Sequence, residues 1–129
     1  MQRKSQPSLP KDAVEFVETL FKFKPYEYQA KLLRDDKKRI VVRWSRQSGK
    51  TTCIALRAIW FAITHSRTLT LIVAPSLRQS MIMRDRVQDF LMSMHEDYRL
   101  GLIEKLQRTV IHFTNGSRIV ALPNSPQLL

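Results

Sequence analysis

An α/β fold in three layers, with an incomplete sheet, is what this sequence predicts, and three observations carry the prediction. Ile40-Val41-Val42 is a short apolar run of strand type, and Thr68-Leu69-Thr70-Leu71-Ile72-Val73-Ala74 is a second, rich in β-branched residues. Between them, residues 53–63 are almost unbrokenly apolar, as a helix packed between a sheet and further cover is. Strand, helix and strand of these lengths imply a right-handed crossover, with 40–43 and 68–74 parallel.

The join between the first strand and this helix reads Arg43-Trp44-Ser45-Arg46-Gln47-Ser48-Gly49-Lys50-Thr51-Thr52. Strand, polar loop, Gly-Lys-Thr and helix is the order of a phosphate-binding loop. Backbone N–H groups from Ser45 through Gln47, Ser48 and Gly49 to Thr51 and Thr52 are expected to form a cup for the β- and γ-phosphates of ATP. The helix dipole favours negative charge there. Lys50 adds a full positive charge, and the Thr51 hydroxyl is expected on Mg²⁺. By chance Gly-Lys-Ser/Thr arises in on the order of one chain in twenty of this length, so the flanking elements make the pattern specific. Trp44 stands where the usual pattern begins with Gly. The plain alternative is a basic turn between a strand and a helix.

The 129 residues suffice for one domain and one core. Lys and Arg number 22 against 11 Asp and Glu, a formal charge of +11, which predicts an anionic partner, most commonly nucleic acid. Cys53 is the single cysteine and lies in the apolar helix, so neither a disulfide framework nor a thiolate metal set is expected. His65, His95 and His112 lack ligand spacing and read as surface or helix-end residues. The polar first ten residues lack a signal-peptide core, and the 53–63 stretch is too short to span a bilayer and carries Arg57. A soluble cytoplasmic setting without membrane contact is expected.

Residues 1–10 read as a mobile leader, 11–39 as a helical segment and 40–129 as the core. Asp12 and Glu15 have capping-box spacing, and Ala13, Val17, Leu20 and Phe21 share a face of a helix running to about Lys22. Pro25 opens a second helical stretch, 26–34, and a charged connection leads to the strand at Ile40. Pro75 ends the second strand, and Ser76 and Gln79 repeat the capping pattern. In the helix behind them Met83, Val87, Phe90, Leu91 and Met94 form one stripe, with Arg84, Asp85, Arg86 and Asp89 expected outside. Residues 98–107 read as a short helix ending near Lys105. Asn115-Gly116 between apolar runs predicts a hairpin over about 108–122.

Tyr26, Tyr28 and Gln29 precede the loop. A glutamine amide can pair with N6 and N7 of adenine together while an aromatic ring covers the base, so Tyr28 and Gln29 are candidate base-binding residues. The alternative is a surface Gln between packing tyrosines. Ser76, Arg78, Gln79 and Ser80 lie where ligands of parallel sheets collect and can donate to a nucleic-acid backbone, or simply start a capped helix. Arg43 and Arg46 flank the loop. An arginine near a γ-phosphate is worth on the order of 10³–10⁵ in rate where it acts on the transition state; otherwise it only tunes ground-state electrostatics.

The loop from Arg43 to Thr52 resembles the deviant phosphate loop of the large terminase subunits of tailed viruses, motors that package DNA into capsids. Pro25-Tyr26-Glu27-Tyr28-Gln29 is similar to that family's adenine motif, and Ile72-Val73-Ala74-Pro75-Ser76 to its second motor strand and following turn. Phe113-Thr114-Asn115-Gly116-Ser117-Arg118-Ile119-Val120-Ala121-Leu122-Pro123 is similar to the strand pair leading into its acidic motif. The resemblance covers about residues 12–129. It implies a RecA-like P-loop NTPase core of the ASCE type, ATP hydrolysis and translocation along double-stranded DNA. It also implies a portal and a small terminase subunit as partners of the full-length protein, a possible ring of identical subunits, and a virus-infected or lysogenic host cell. It assigns Lys50 to phosphate, Thr51 to the metal and Gln29 to adenine. Arg46 takes the place of the loop arginine linked to γ-phosphate sensing or catalysis. Such loops often lack the first glycine, so Trp44 is compatible with the pattern.

A P-loop ATPase also needs an Asp for the Mg²⁺ shell and a Glu to orient the attacking water, at the end of an acidic strand. No apolar run ending in Asp-Glu follows the loop, and Asp85, Asp89, Glu96 and Asp97 on or after an amphipathic helix are poor substitutes. The chain therefore reads as the front of a viral or proviral packaging motor that binds ATP without hydrolysing it alone and carries no nuclease site. Two alternatives stand: a helicase-like DNA translocase fragment, and a non-catalytic basic nucleic-acid-binding protein with a vestigial loop. The sheet is expected to have an exposed edge, with poor solubility or self-association as the consequence.

Overall fold

The computed structural model describes residues 9–37, 40 and 49–123. In chain order these form α1 (Ala13–Phe21), α2 (Glu27–Arg34), α3 (Lys50–Thr64), β1 (Leu69–Ala74), α4 (Leu77–Ser93), α5 (Glu96–Leu102), β2 (Ile103–Leu106), β3 (Val110–Phe113) and β4 (Arg118–Pro123).

The first helix starts where the sequence says it should. Asp12 caps α1 by accepting from the Glu15 N–H at 3.2 Å. Lys22, in the left-handed region at φ 53°, closes the helix through its N–H to the Val17 carbonyl. Arg34 reaches back from the end of α2 and donates from Nε and Nη2 to Asp12 at 3.0 and 2.9 Å. The Arg34 guanidinium, aided by the Glu15 N–H, holds the Asp12 carboxyl below its ordinary value. A depressed carboxyl contributes stability above its unfolded pKa of about 4 and loses it as pH falls through the folded value. Asp12→Ala should therefore cost about 1 kcal/mol at neutral pH, since the pair is solvent-screened and the cap is single. In denaturant unfolding that deficit should shrink toward acid; an equal deficit at pH 7 and pH 3 would rule out the ionic contribution.

The core gathers around α3. Its Cys53, Ala55, Leu56, Ile59 and Ala62 are fully buried against Phe16, Leu33, Val87 and Leu91. Each large apolar side chain so buried contributes about 1.5–3 kcal/mol, well above any exposed ion pair. The far end of α3 is held by the hairpin between β3 and β4. Asn115 Nδ2 donates to the Ala62 and Ile63 carbonyls at 2.8 and 3.1 Å, and its Oδ1 accepts from the Ser117 N–H at 2.9 Å. The Ser117 hydroxyl, fully buried, donates to the His65 carbonyl at 2.6 Å. Gly116 turns the chain at φ +88°, and a Cβ there would meet Arg67 Cγ at 3.2 Å. The Asn-Gly-Ser turn is thus also the C-terminal cap of α3.

The sheet is mixed, in the order β1-β4-β3-β2, with β1 parallel to β4 and the other pairs antiparallel. Pairing Ile111 with Ile119, and Thr70 and Ile72 with Ile119 and Ala121, puts Ile111, Phe113, Ile119, Ala121 and Ile72 on one face, and that face packs into the helical core. The opposite face carries Leu69, Leu71 and Val73, which remain about half exposed at 51%, 50% and 48%. Two layers rather than the expected three are therefore present among the described residues. The α3 flank is correspondingly open: Ile54, Ala58 and Phe61 line an apolar groove with Leu69. β1 also lies at a sheet edge among the described residues and carries no charge or proline to guard it.

The expected strand at 40–43 lies, except for Ile40, outside the described residues, and the parallel partner observed for β1 is β4. Residues 98–107 are not one helix. α5 stops at Leu102, and β2 pairs with β3 through a bulge between Ile103 and Lys105. Ser76 caps α4 as expected, accepting from the Gln79 N–H at 3.3 Å. Arg84, assigned by periodicity to the outer face of α4, is only 5% exposed. It is buried because its Nη2 donates to the Gln107 carbonyl and its Nη1 to Gln88 Oε1, which satisfies a turn that α4 packs against. No helix among the described residues is long and apolar enough to cross a membrane.

Candidate functional site

The site is built at the mouth of α3. Gly49 stands at its N-cap with φ +79°, in the left-handed region that glycine adopts without strain, and its carbonyl accepts the first helical bond from Cys53 N–H at 2.9 Å. A Cβ at Gly49 would lie 2.6 Å from Gln29 Nε2 and would push the end of that side chain aside. No side chain caps this helix among the described residues, and its first turn holds no acidic residue. Lys50 and Thr51 are exposed and Thr52 half-buried. Free amide donors, the positive end of a helix of 15 residues and the Lys50 charge make this corner receptive to an anion.

The second component is α2, docked along the first turns of α3. Gln29 is 4% exposed; its Oε1 accepts from the Tyr26 N–H at 2.9 Å, which aims its amide nitrogen at Gly49. The Gln29 carbonyl accepts from Cys53 Sγ at 3.5 Å. Arg57 Nη2 and Nε donate to the Asp35 and Leu32 carbonyls at 2.6 and 3.3 Å, so α3 supplies the end cap of α2. Burial pushes the Cys53 thiol up to about 11, so it is a packing group and not a nucleophile. The rings of Tyr26 and Tyr28 stack 6.0 Å apart at 11° and are both exposed.

Candidate residues from distant stretches thus converge: Gln29 meets Gly49, beside Lys50, Thr51 and Thr52. Ser45, Arg46, Gln47 and Ser48, with Arg43 and Trp44, lie outside the described residues. One feature was not legible in the sequence. The Gln29 carboxamide braces the helix mouth in this conformation, and reading an adenine edge with both of its atoms requires Oε1 to leave or share the Tyr26 N–H. The spacing of Tyr26 and Gln29, a Gln three residues after the start of the helix, is the signal that could have found it.

Beyond β1, Ser76 and Ser80 are engaged internally, Ser76 as the α4 cap and Ser80 through its hydroxyl to the Leu122 carbonyl. Arg78 and Gln79 face outward. His65 and His95 sit at helix ends, His65 stacked on Phe61 and His95 capping α5. His112 lies instead on β3, with Nε2 2.9 Å from Gln107 Oε1. Asp85, Asp89, Glu96 and Asp97 are all exposed, and no group of three potential metal ligands occurs among the described residues.

Residues 43–127 match the family model for the terminase large subunit, T4-like-virus type, N-terminal. No curated protein matches the chain.

Proposed function

The chain belongs to the T4-like-virus-type family of terminase large subunits, in the N-terminal region, and from this premise we propose that it is the ATP-binding part of a motor that drives double-stranded DNA into a viral capsid. The observation that carries the reading is the meeting of Gln29 with Gly49, the N-cap of α3. ATP·Mg²⁺ supplies the phosphoanhydride whose cleavage powers movement. The residues of the chain hold it: Lys50 neutralises phosphate oxygens, Thr51 offers its hydroxyl to the metal, and Thr52 with the loop amides closes around the phosphates. Tyr28 offers an exposed ring to the base, and Gln29 links the base side of the site to the glycine that opens the helix. This reading assigns Arg46, within the loop sequence, to the γ-phosphate. In the full-length protein, portal, small terminase subunit and further copies of the motor are the partners this reading brings.

Binding without turnover is expected, because the exposed carboxylates of α4 and α5 are no substitute for an acidic strand end beside the loop. Isothermal titration of ATP·Mg²⁺ into the purified chain, beside a phosphate-release assay, tests both parts. Saturable binding with no release supports the proposal. Absence of binding overturns it, and sustained release would show that carboxylates beyond a dedicated acidic strand suffice.

A further inference from the structure

A second basic site lies on the outer side of α4, apart from the mouth of α3. An open groove of about 380 Å³ runs between α4 and the turn joining β2 to β3, lined by Leu77, Arg78, Met81, Ile82, Asp85 and Arg108. Arg78 and Arg108 are exposed on its rim. The turn that presents Arg108 is locked from several directions. Gln107 N–H donates to the Val110 carbonyl at 2.8 Å, and Ala121 N–H donates to the Thr109 carbonyl at 2.8 Å. Gln107 Oε1 meets His112 Nε2, and the Gln107 carbonyl accepts from buried Arg84. Arg84 itself has Nε buried without a hydrogen-bond partner among the described residues.

The charge balance of this region is positive. Asp85 is the single carboxylate in the lining, 63% exposed, and it lies 3.4 Å from Arg84. It offsets one of three arginines, and among the described residues no ion pair engages Arg78 or Arg108. Four contacts fix the backbone of the turn that carries Arg108, so less backbone freedom is lost on binding there than from a flexible loop. Leu77, Met81 and Ile82 form the apolar part of the lining beside these charges.

We propose that this groove docks the phosphodiester backbone of duplex DNA, with Arg78 and Arg108 contacting phosphates and Arg84 as the positioning residue that fixes the turn. The proposal rests on the packaging reading above for the identity of its partner. It places the DNA contact on α4 and the β2–β3 turn, a surface distinct from the nucleotide corner. Contacts of this type carry affinity but no base preference.

The test is binding of a random-sequence DNA duplex to the chain across a salt series, followed by fluorescence anisotropy. Arg78→Ala and Arg108→Ala should each weaken binding several-fold and flatten the dependence of log K on log salt by roughly one unit per residue. Both side chains are exposed, so the thermal midpoints should stay near that of the parent chain. Asp85→Asn should tighten binding. Arg84→Lys retains the charge but not the fork, and should lose affinity together with amide-exchange protection at residues 107–110. An unchanged salt slope in the double variant Arg78→Ala/Arg108→Ala would overturn the site. A parent chain that binds no duplex would overturn it as well, whereas the ATP titration stands or falls separately.

Discussion

Lys50→Ala should reduce ATP·Mg²⁺ affinity by roughly a hundredfold, about 2–3 kcal/mol for the loss of charge-assisted bonds to phosphate. Lys50 is exposed at the first position of α3, outside the buried core, so its truncation should leave the unfolding midpoint of the free chain nearly unchanged. That separation makes the variant informative. In the parent chain the Lys50 amine has no acidic neighbour in the first turn of the helix, and alanine in its place favours helix at least equally. Titration of parent and variant side by side gives the result. Equal affinities would show that ATP binds elsewhere or that the charge at the mouth of α3 is idle, and the basic-turn reading of 43–52 would then prevail.

Asn115→Ala should destabilise the chain by about 2–3 kcal/mol. It removes two donations to the last carbonyls of α3 and the bond from the Ser117 N–H, each worth about 0.5–1.5 kcal/mol where partly buried. Asn115→Asp distinguishes this latch from a simple turn preference. Aspartate keeps the acceptor for Ser117 and suits a turn equally well, yet it sets a negative charge against the C-terminal end of the α3 dipole and can no longer donate. Denaturant unfolding should find Asn115→Asp at least as destabilised as Asn115→Ala. An aspartate variant as stable as the parent would mean that the contacts to Ala62 and Ile63 contribute nothing.

Much of this architecture was legible because it is written locally. Asp12 and Ser76 are good caps wherever they stand before a helix, and both accept the expected N–H. Asn115-Gly116 demands a turn, and the apolar runs on either side of it became β3 and β4. β2 escaped because its turn, Gln107-Arg108-Thr109, contains no Gly, Asn or Pro, and because Ile103-Glu104-Lys105-Leu106 does not alternate. Arg84 was misplaced for a related reason: helical periodicity assigns a charged residue to solvent, but a carbonyl arriving from the β2–β3 turn needed a donor there.

The sequence by itself determined α1 to α4, the strands β1, β3 and β4, the basic charge balance of the chain and the position of Gly49-Lys50-Thr51 at the start of α3. Those properties depend on neighbours a few residues away, through hydrogen-bond caps, side-chain periodicity and backbone freedom. Only the tertiary structure decided that Gln29 abuts Gly49, that Asn115 closes the far end of α3, and that Leu69, Leu71 and Val73 remain about half exposed on one face of the sheet. Such outcomes depend on which distant backbone groups arrive unsatisfied at a given side chain, and spacing along the chain does not encode that meeting.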